Sequence, residues 1–369
     1  MAASIRPRLR IREVAEHAGV SPATVSRVLN GSATVTKAKR DAVLTAVNEL
    51  GYRPNRTASN LRRQQAQMIG VVISDIENPH FTQMVRAVED AAYGRGYRVL
   101  LCNTDEDPAK QRGYLGVLAA ERVAGAIISP TEANAPEISE LIDHGTCVVA
   151  YDRAVCDRRA DAVLSANGDG ACMGAQHLIA GGHNKIGFIS GPTRIETGAE
   201  RLAGYTQAVT GARLEPLVAY GDYRFEGGVR ATHELLAQGA TALLVANNLM
   251  AVGALHAIKD AGLRVAADVA LVSIDDPPWA ELTDPPLTTL GQPIRAMADA
   301  AVALLLGRLD GRRKRRKHQV FSFELHHRGS CCDAGRQTGS SRRGALPDVI
   351  AEAGAVNAQS RPMRAMQRG

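Results

Sequence analysis

RIREVAEHAGVSPATVSRVLN, residues Arg10–Asn30, decides the first part of the fold. Ile11, Val14, Ala15 and Ala18 recur at helical spacing and stop at Gly19, a residue that accepts the positive φ of a tight turn or C-cap. Ser21 then stands where an N-cap belongs and Pro22 where a first helical residue needs no N–H; Thr24, Val25, Val28 and Leu29 continue a second helix, closed by Asn30-Gly31. Thr36 is placed to cap a third helix, whose Ala42, Val43, Ala46, Val47 and Leu50 form an apolar stripe ending at Gly51. Two helices joined by a short turn, with a third across them, make a helix-turn-helix module. In that module the second helix enters the major groove: small residues at its start permit close approach, and Arg27 reaches guanine O6 and N7. The same pattern serves an ordinary three-helix bundle with Arg27 solvated, and the head alone does not separate the two.

Charge points the same way as the motif. Residues 1–65 hold 12 Lys/Arg against 4 Asp/Glu, and residues 308–369 hold 14 against 5, yet the 369-residue chain is only +6, so the stretch between is acidic. A basic head on an acidic body directs a polyanionic partner to the head. No apolar run of about 18 residues occurs, and the arginine-bearing Met1–Arg12 lacks the apolar stretch of a signal peptide; the expected location is the cytoplasm, on the nucleoid, with no membrane. Six cysteines fit that compartment: Cys102, Cys147, Cys156 and Cys172 are scattered, and Cys331-Cys332 has no partner at metal-ligand spacing, so no metal site is expected.

From Met68 the pattern becomes short apolar runs separated by amphipathic segments. Ile69–Ser74, Tyr97–Asn103, Gly125–Pro130, Cys147–Asp152, Lys185–Gly191, Ala242–Asn247 and Val269–Asp275 read as parallel strands covered on both faces. Phe81–Gly94, Ala171–Gly181, Phe225–Gly239, Leu249–Gly262 and Ala296–Leu309 read as helices. Such alternation gives an α/β architecture with parallel sheets. A ligand site in such sheets lies beyond the strand C-termini, where Asp75, Arg153, Asn247 and Asp275 stand; the competing role for each is a strand-end cap. No cofactor is expected, because Gly168-Asp169-Gly170 and Gly181-Gly182 read as turns outside any nucleotide-binding motif. Nor do Asp275 and Asp276 make an acid/base pair, since neighbours on a strand point opposite ways. An enzyme is therefore disfavoured.

VAEHAGVSPATVSRVLNG (Val14–Gly31), LGYRPNRTASNLR (Leu50–Arg62), IGVVISDIENPHF (Ile69–Phe81), RVAGAIISP (Arg122–Pro130), ANGDGACMGAQHLIAGGHNKIGFISGP (Ala166–Pro192), NNLMAVGAL (Asn247–Leu255), VSIDD (Val272–Asp276) and LTTLGQP (Leu287–Pro293) together resemble the lactose-repressor, or galactose-repressor, family of bacterial transcription regulators. The resemblance covers roughly residues 10–330. It implies an all-α helix-turn-helix head (residues 8–53), a hinge helix and linker (54–66), and a two-lobed body like periplasmic binding proteins (67–330), followed by a tail (331–369) outside the family pattern and expected to be disordered. It also implies a homodimeric repressor of palindromic operator DNA, controlled by a small effector. A transporter's solute-binding protein would share the body but is opposed by the basic head.

Residue by residue, the family's base-reading positions fall on Pro22, Ala23 and Arg27, and its phosphate- or base-edge-touching positions on Ser21, Thr24 and Ser26. Pro22 and Ala23 offer no hydrogen bond from their side chains, so polar base reading leans on Arg27. In the hinge PNRTASNLR (Pro54–Arg62), too short to hold a helix alone, the resemblance puts Leu61 into the minor groove with Asn55, Arg56 and Arg62 at the DNA. In the body, Asp275 resembles the family's ligand-binding aspartate, Arg201 its arginine and Asn247 its asparagine, while His80, Phe81, Thr197 and Tyr223 match pocket-lining positions. Asn248 and Ala124 stand where the family has aspartates, Ile195 replaces an arginine used by the purine-responsive member, and His326-His327 replace apolar residues. A sugar or sugar derivative is the expected effector; a sugar acid stays open through Arg153 and Arg201. The basic run Gly311–Gln319 reads as a solvated turn, with added nonspecific DNA attraction the alternative.

Overall fold

The computed structural model describes residues 11–29, 35–52, 66–313 and 315–331. Asn30-Gly31, the hinge positions Asn55, Arg56, Leu61 and Arg62, and the tail from residue 332 lie outside the described residues. Two compact units result, Met1–Ala66 and Gln67–Gly369.

The first unit holds α1 (Ile11–His17), α2 (Pro22–Leu29) and α3 (Lys37–Leu50). Val14, Ala15, Val25, Val28, Val43 and Ala46 form its core, two residues from each helix. Gly19 takes the positive φ of 65° that turns α1 into α2, and Ser21 caps α2 by accepting from the Thr24 amide at 3.2 Å. Gly51, at φ 61°, ends α3. Thr36 occupies the N-cap position of α3, but its side chain makes no capping bond.

The second unit is a pair of six-stranded sheets. The chain runs β1 (Ala66–Ile73), α4 (Pro79–Tyr93), β2 (Arg98–Asn103), α5 (Pro108–Ala120), β3 (Val123–Ile128), α6 (Pro136–Asp143), β4 (Cys147–Asp152) and β5 (Asp161–Ser165), then crosses to α7 (Asn167–Ala180). It continues through β6 (Ile186–Ser190), α8 (Glu196–Gly211), β7 (Leu217–Tyr220), α9 (Phe225–Ala237), β8 (Ala242–Val245), α10 (Asn248–Asp260), β9 (Ala270–Ile274) and β10 (Thr288–Gly291). It returns through α11 (Ile294–Leu309) and β11 (His318–Phe321) before β12 (Glu324–His326). The strand orders are β11-β5-β4-β3-β1-β2 and β12-β10-β9-β8-β6-β7. Among the described residues only β12 has an antiparallel pairing, with β10. The lobes are thus joined by three short passages, at Ala166, at Gln292-Pro293 and at Ser322-Phe323.

Continuous apolar strands are explained by cover on both faces. In the first lobe Ile69, Val71, Ile73, Ile127, Val149 and Tyr151 pack under α4 and α11, while the alternate Val72, Ala126, Ile128, Val148 and Ala150 pack under α5 and α6. In the second lobe Leu244 meets α7 at Gly174 and its neighbour Leu243 faces Leu235 of α9 at Gly187, again opposite faces of one strand.

Two expectations need correction. Residues 168–170 are not a turn; they are the first coils of α7. The basic run is not simply solvated: Asp161, fully buried, accepts from Arg308 Nε at 2.7 Å and from the Lys317 amide at 2.6 Å, with Arg313 3.6 Å away. A buried carboxylate needs such partners, and the run supplies one donor, the Lys317 amide, and one nearby charge, Arg313, while leading into the edge strand β11.

Candidate functional site

All nine predicted pocket residues line one crevice between the lobes, open to solvent: Asp75, His80, Phe81 and Arg153 from the first lobe, and Thr197, Arg201, Tyr223, Asn247 and Asp275 from the second. Most stand just past a strand or in the first turn of a helix, so the parallel topology aims them at the same gap. Asp275 has a φ of 73° and Tyr223 one of 66°, turning both side chains sharply out of the run of the chain. Tyr223 lies so close over Gly191 that a Cβ there would sit 2.1 Å from its ring; only glycine leaves the ring room.

The crevice residues are already committed to protein partners. Arg201 Nε donates to Asn167 Oδ1 at 2.8 Å, and its Nη1 to the Ala246 carbonyl at 2.6 Å. Arg153 forks onto Glu106 at 2.8 and 2.6 Å; burial alone would depress this guanidinium, but the bonds to Glu106 hold it protonated. Asn247 caps α10, accepting from the Met250 amide, and donates to the Tyr223 carbonyl, so the strand-end cap role is real for this residue. Thr197 and Tyr223 hydroxyls lie 3.3 Å apart, and burial pushes the Tyr223 phenol up. Burial likewise raises the Asp75 carboxyl. Phe81 belongs to the first lobe's core and meets His80 edge-on at 5.1 Å.

Asp275 and Asp276 diverge. Asp275 accepts from Gln292 Nε2 at 2.8 Å and from Asn248 Nδ2 at 2.9 Å, whereas Asp276 turns to Arg328, 2.8 Å away, and to Thr289. Asn248 also donates to Asn78 Oδ1 across the lobes, and Gln292 accepts from the Ser165 hydroxyl. An aspartate at position 248 has no proton to give either acceptor, which explains what the amide does there. His80 Nε2 and Asn248 Oδ1 are buried in this network with no partner. Asn78, Asn248, Gln292, Glu106, Asp152, Asp222 and Arg224 were not singled out as crevice residues from sequence. Asn78 and Gln292, inside the IENPHF and LGQP stretches, carried the available signal.

On the helical unit Ser21, Pro22, Ala23 and Arg27 are exposed and Thr24 and Ser26 partly so, while Val25 and Val28 face the core. Of the six predicted DNA-facing positions, Ser21 at the cap and Pro22, Ala23 and Arg27 on α2 are thus open to a partner, with Thr24 and Ser26 half-covered. Arg27 is exposed at the end of that helix.

A three-helix head of this kind, attached in sequence to a two-lobed body with a polar crevice, defines a ligand-responsive DNA-binding protein. Residues 10–55 match the bacterial regulatory proteins of the lacI family, and residues 175–331 the periplasmic binding protein-like domain. The chain is 34% identical over 326 residues to the HTH-type transcriptional repressor PurR of Klebsiella pneumoniae (strain 342), covering 86% of this chain and 94% of that one. It is similar to the Lac repressor dimer bound to operator and the anti-inducer ONPF, with 31% identity, a TM-score of 0.79, and 88% and 100% of the two chains covered. It is also similar to the transcriptional regulator CelR in its cellobiose complex, with 33% identity, a TM-score of 0.67 and the same coverage. The chain belongs to the lacI family of bacterial regulatory proteins, and is a DNA-binding transcriptional regulator, not an enzyme. Among the described residues no helix is long and apolar enough to cross a membrane.

Proposed function

We propose that this chain is a repressor that acts as a homodimer on a palindromic operator, on the nucleoid of the cytoplasm, and that a neutral sugar or sugar derivative in the crevice sets its operator affinity. The charge of the crevice carries the choice of ligand. Asp75, Glu106, Asp152, Asp222 and Asp275 outnumber Arg153, Arg201 and Arg224, and two nitrogens each of Arg153 and Arg201 are already engaged. A sugar carboxylate would enter among surplus carboxylates, whereas hydroxyls can use their remaining lone pairs and donate to them. Ile195, where the purine-responsive relative has an arginine, is buried and offers no hydrogen bond from its side chain. The CelR relative is itself described in complex with cellobiose.

The test is enrichment of genomic fragments on the purified full-length protein, followed by calorimetry with pentoses, hexoses, sugar acids and nucleobases, and operator binding with and without the hit. An imperfect palindrome and a neutral sugar are expected. A sugar acid or nucleobase as the only hit overturns the effector, and no enriched palindrome overturns the operator. For the hinge, residues 54–66, the reading is that it folds on DNA. Leu61→Ala should reduce operator bending and operator affinity while leaving effector binding nearly intact; unchanged bending in a gel-phasing assay removes Leu61 from the minor groove.

A further inference from the structure

Away from the crevice, three side chains distant in sequence converge on one point. His177 lies in the last turn of α7, and His327 and Cys331 follow β12. His177 Nε2 is 3.2 Å from His327 Nδ1 and 3.1 Å from Cys331 Sγ, and the sulfur is 3.7 Å from His327 Nδ1. Zinc bonds of about 2.0–2.1 Å to nitrogen and about 2.3 Å to sulfur, at tetrahedral angles, require ligand atoms about 3.3 Å apart for N–N and about 3.6 Å for N–S. Two edges, His177–His327 and His327–Cys331, lie within about 0.1 Å of those values, and the His177–Cys331 edge is about 0.5 Å shorter, so the sulfur would move outward to admit the ion. The cysteine doublet that lacks a metal partner along the chain thus has two imidazoles beside one of its members in space.

We propose that His177 Nε2, His327 Nδ1 and Cys331 Sγ bind a zinc-class divalent transition metal ion, with solvent completing the coordination. Two nitrogens and a thiolate form a borderline-soft donor set suited to zinc, not to magnesium or calcium. The surroundings support the charged forms. Buried Thr288 Oγ1 accepts the Arg328 amide and lies 3.1 Å from Cys331 Sγ, so its own proton is placed to be donated to the sulfur and to favour the thiolate. The C-terminal end of α7, beside His177, favours a cation. Binding would release the Cys331 proton to solvent and leave both imidazoles neutral. The ion would clip the chain just beyond β12, at the edge of the second sheet, to α7.

The experiment uses the full-length protein, reduced and freed of metal with a chelator, and titrates it with Zn²⁺ alone by calorimetry and with Co²⁺ by absorption. One equivalent per chain, a thiolate-to-cobalt charge-transfer band with tetrahedral visible bands, and a raised thermal midpoint with Zn²⁺ are expected. Cys331→Ser should abolish the thiolate band, and His177→Ala and His327→Ala should each weaken Zn²⁺ binding about tenfold or more. Cys332→Ser should keep both signals. No stoichiometric uptake, no thiolate band, or Zn²⁺ affinity untouched by His327→Ala overturns the site. Because the His327 side chain is exposed, its replacement tests the site whether or not Cys331→Ser folds.

Discussion

On α2 the chain presents Pro22, Ala23 and Arg27 to solvent, while in the crevice Arg153, Arg201, Asn247 and Asp275 are each more than nine-tenths buried and bonded to protein. The outer side of α2 can spend its exposed groups on a partner. In the crevice, a ligand meets only the lone pairs and protons left after the protein's own demands are met. Substitution on α2 should therefore change recognition and spare folding, whereas substitution in the crevice should disturb both.

The largest expected effect is in the crevice. Arg201→Ala strands Asn167 Oδ1 and the Ala246 carbonyl, and at about 1–3 kcal/mol for each unsatisfied buried group the variant should lose about 2–6 kcal/mol in urea denaturation. A loss below about 1 kcal/mol would break the contrast. Arg27→Ala should leave stability within about 0.5 kcal/mol yet narrow the gap between operator and random DNA by about 1–3 kcal/mol at fixed salt. Equal losses on both DNAs would make Arg27 a phosphate contact instead of a reader of bases. Asp275→Asn removes the charge and puts an NH₂ in place of one of the two oxygens, opposite either Gln292 or Asn248, so it should weaken the effector about tenfold or more, near 1.4 kcal/mol, by calorimetry. Normal affinity would exclude Asp275 from the site. Ser21→Ala sharpens the contrast from the other side: this exposed residue also caps its helix, and its loss should cost about 1 kcal/mol in thermal or urea unfolding with little change in base preference.

The head was legible because its signals are local: Gly19, Ser21 and Pro22 act within a turn of the residues they organise. The long strands were legible because cover on both faces leaves an unbroken apolar run. β5 was missed since it opens on Asp161, whose burial depends on Arg308, 147 residues away. α5 and α8 were missed because Gly113, Gly116, Gly198 and Gly204 interrupt their apolar pattern. At the crevice, residues beyond strand ends could be named in advance. The amide bridge Asn78–Asn248–Asp275–Gln292 could not, because contacts 170 residues apart leave no period in a sequence.

The core beneath α4 draws Met297, Ala298, Ala301, Val302, Leu304, Leu305 and Leu306 from α11, a helix made only after the second lobe's β6–β10. A nascent chain that has reached Gln292 thus possesses all but one strand of the second sheet, while one side of the first still shows Ile127, Val149 and Val163 bare of that helix. The lobe begun first is finished last. During synthesis its uncovered side is the surface on which a chaperone would act, and a ribosome-held chain ending at residue 292 should be more readily cut by protease before Ser165 than after it.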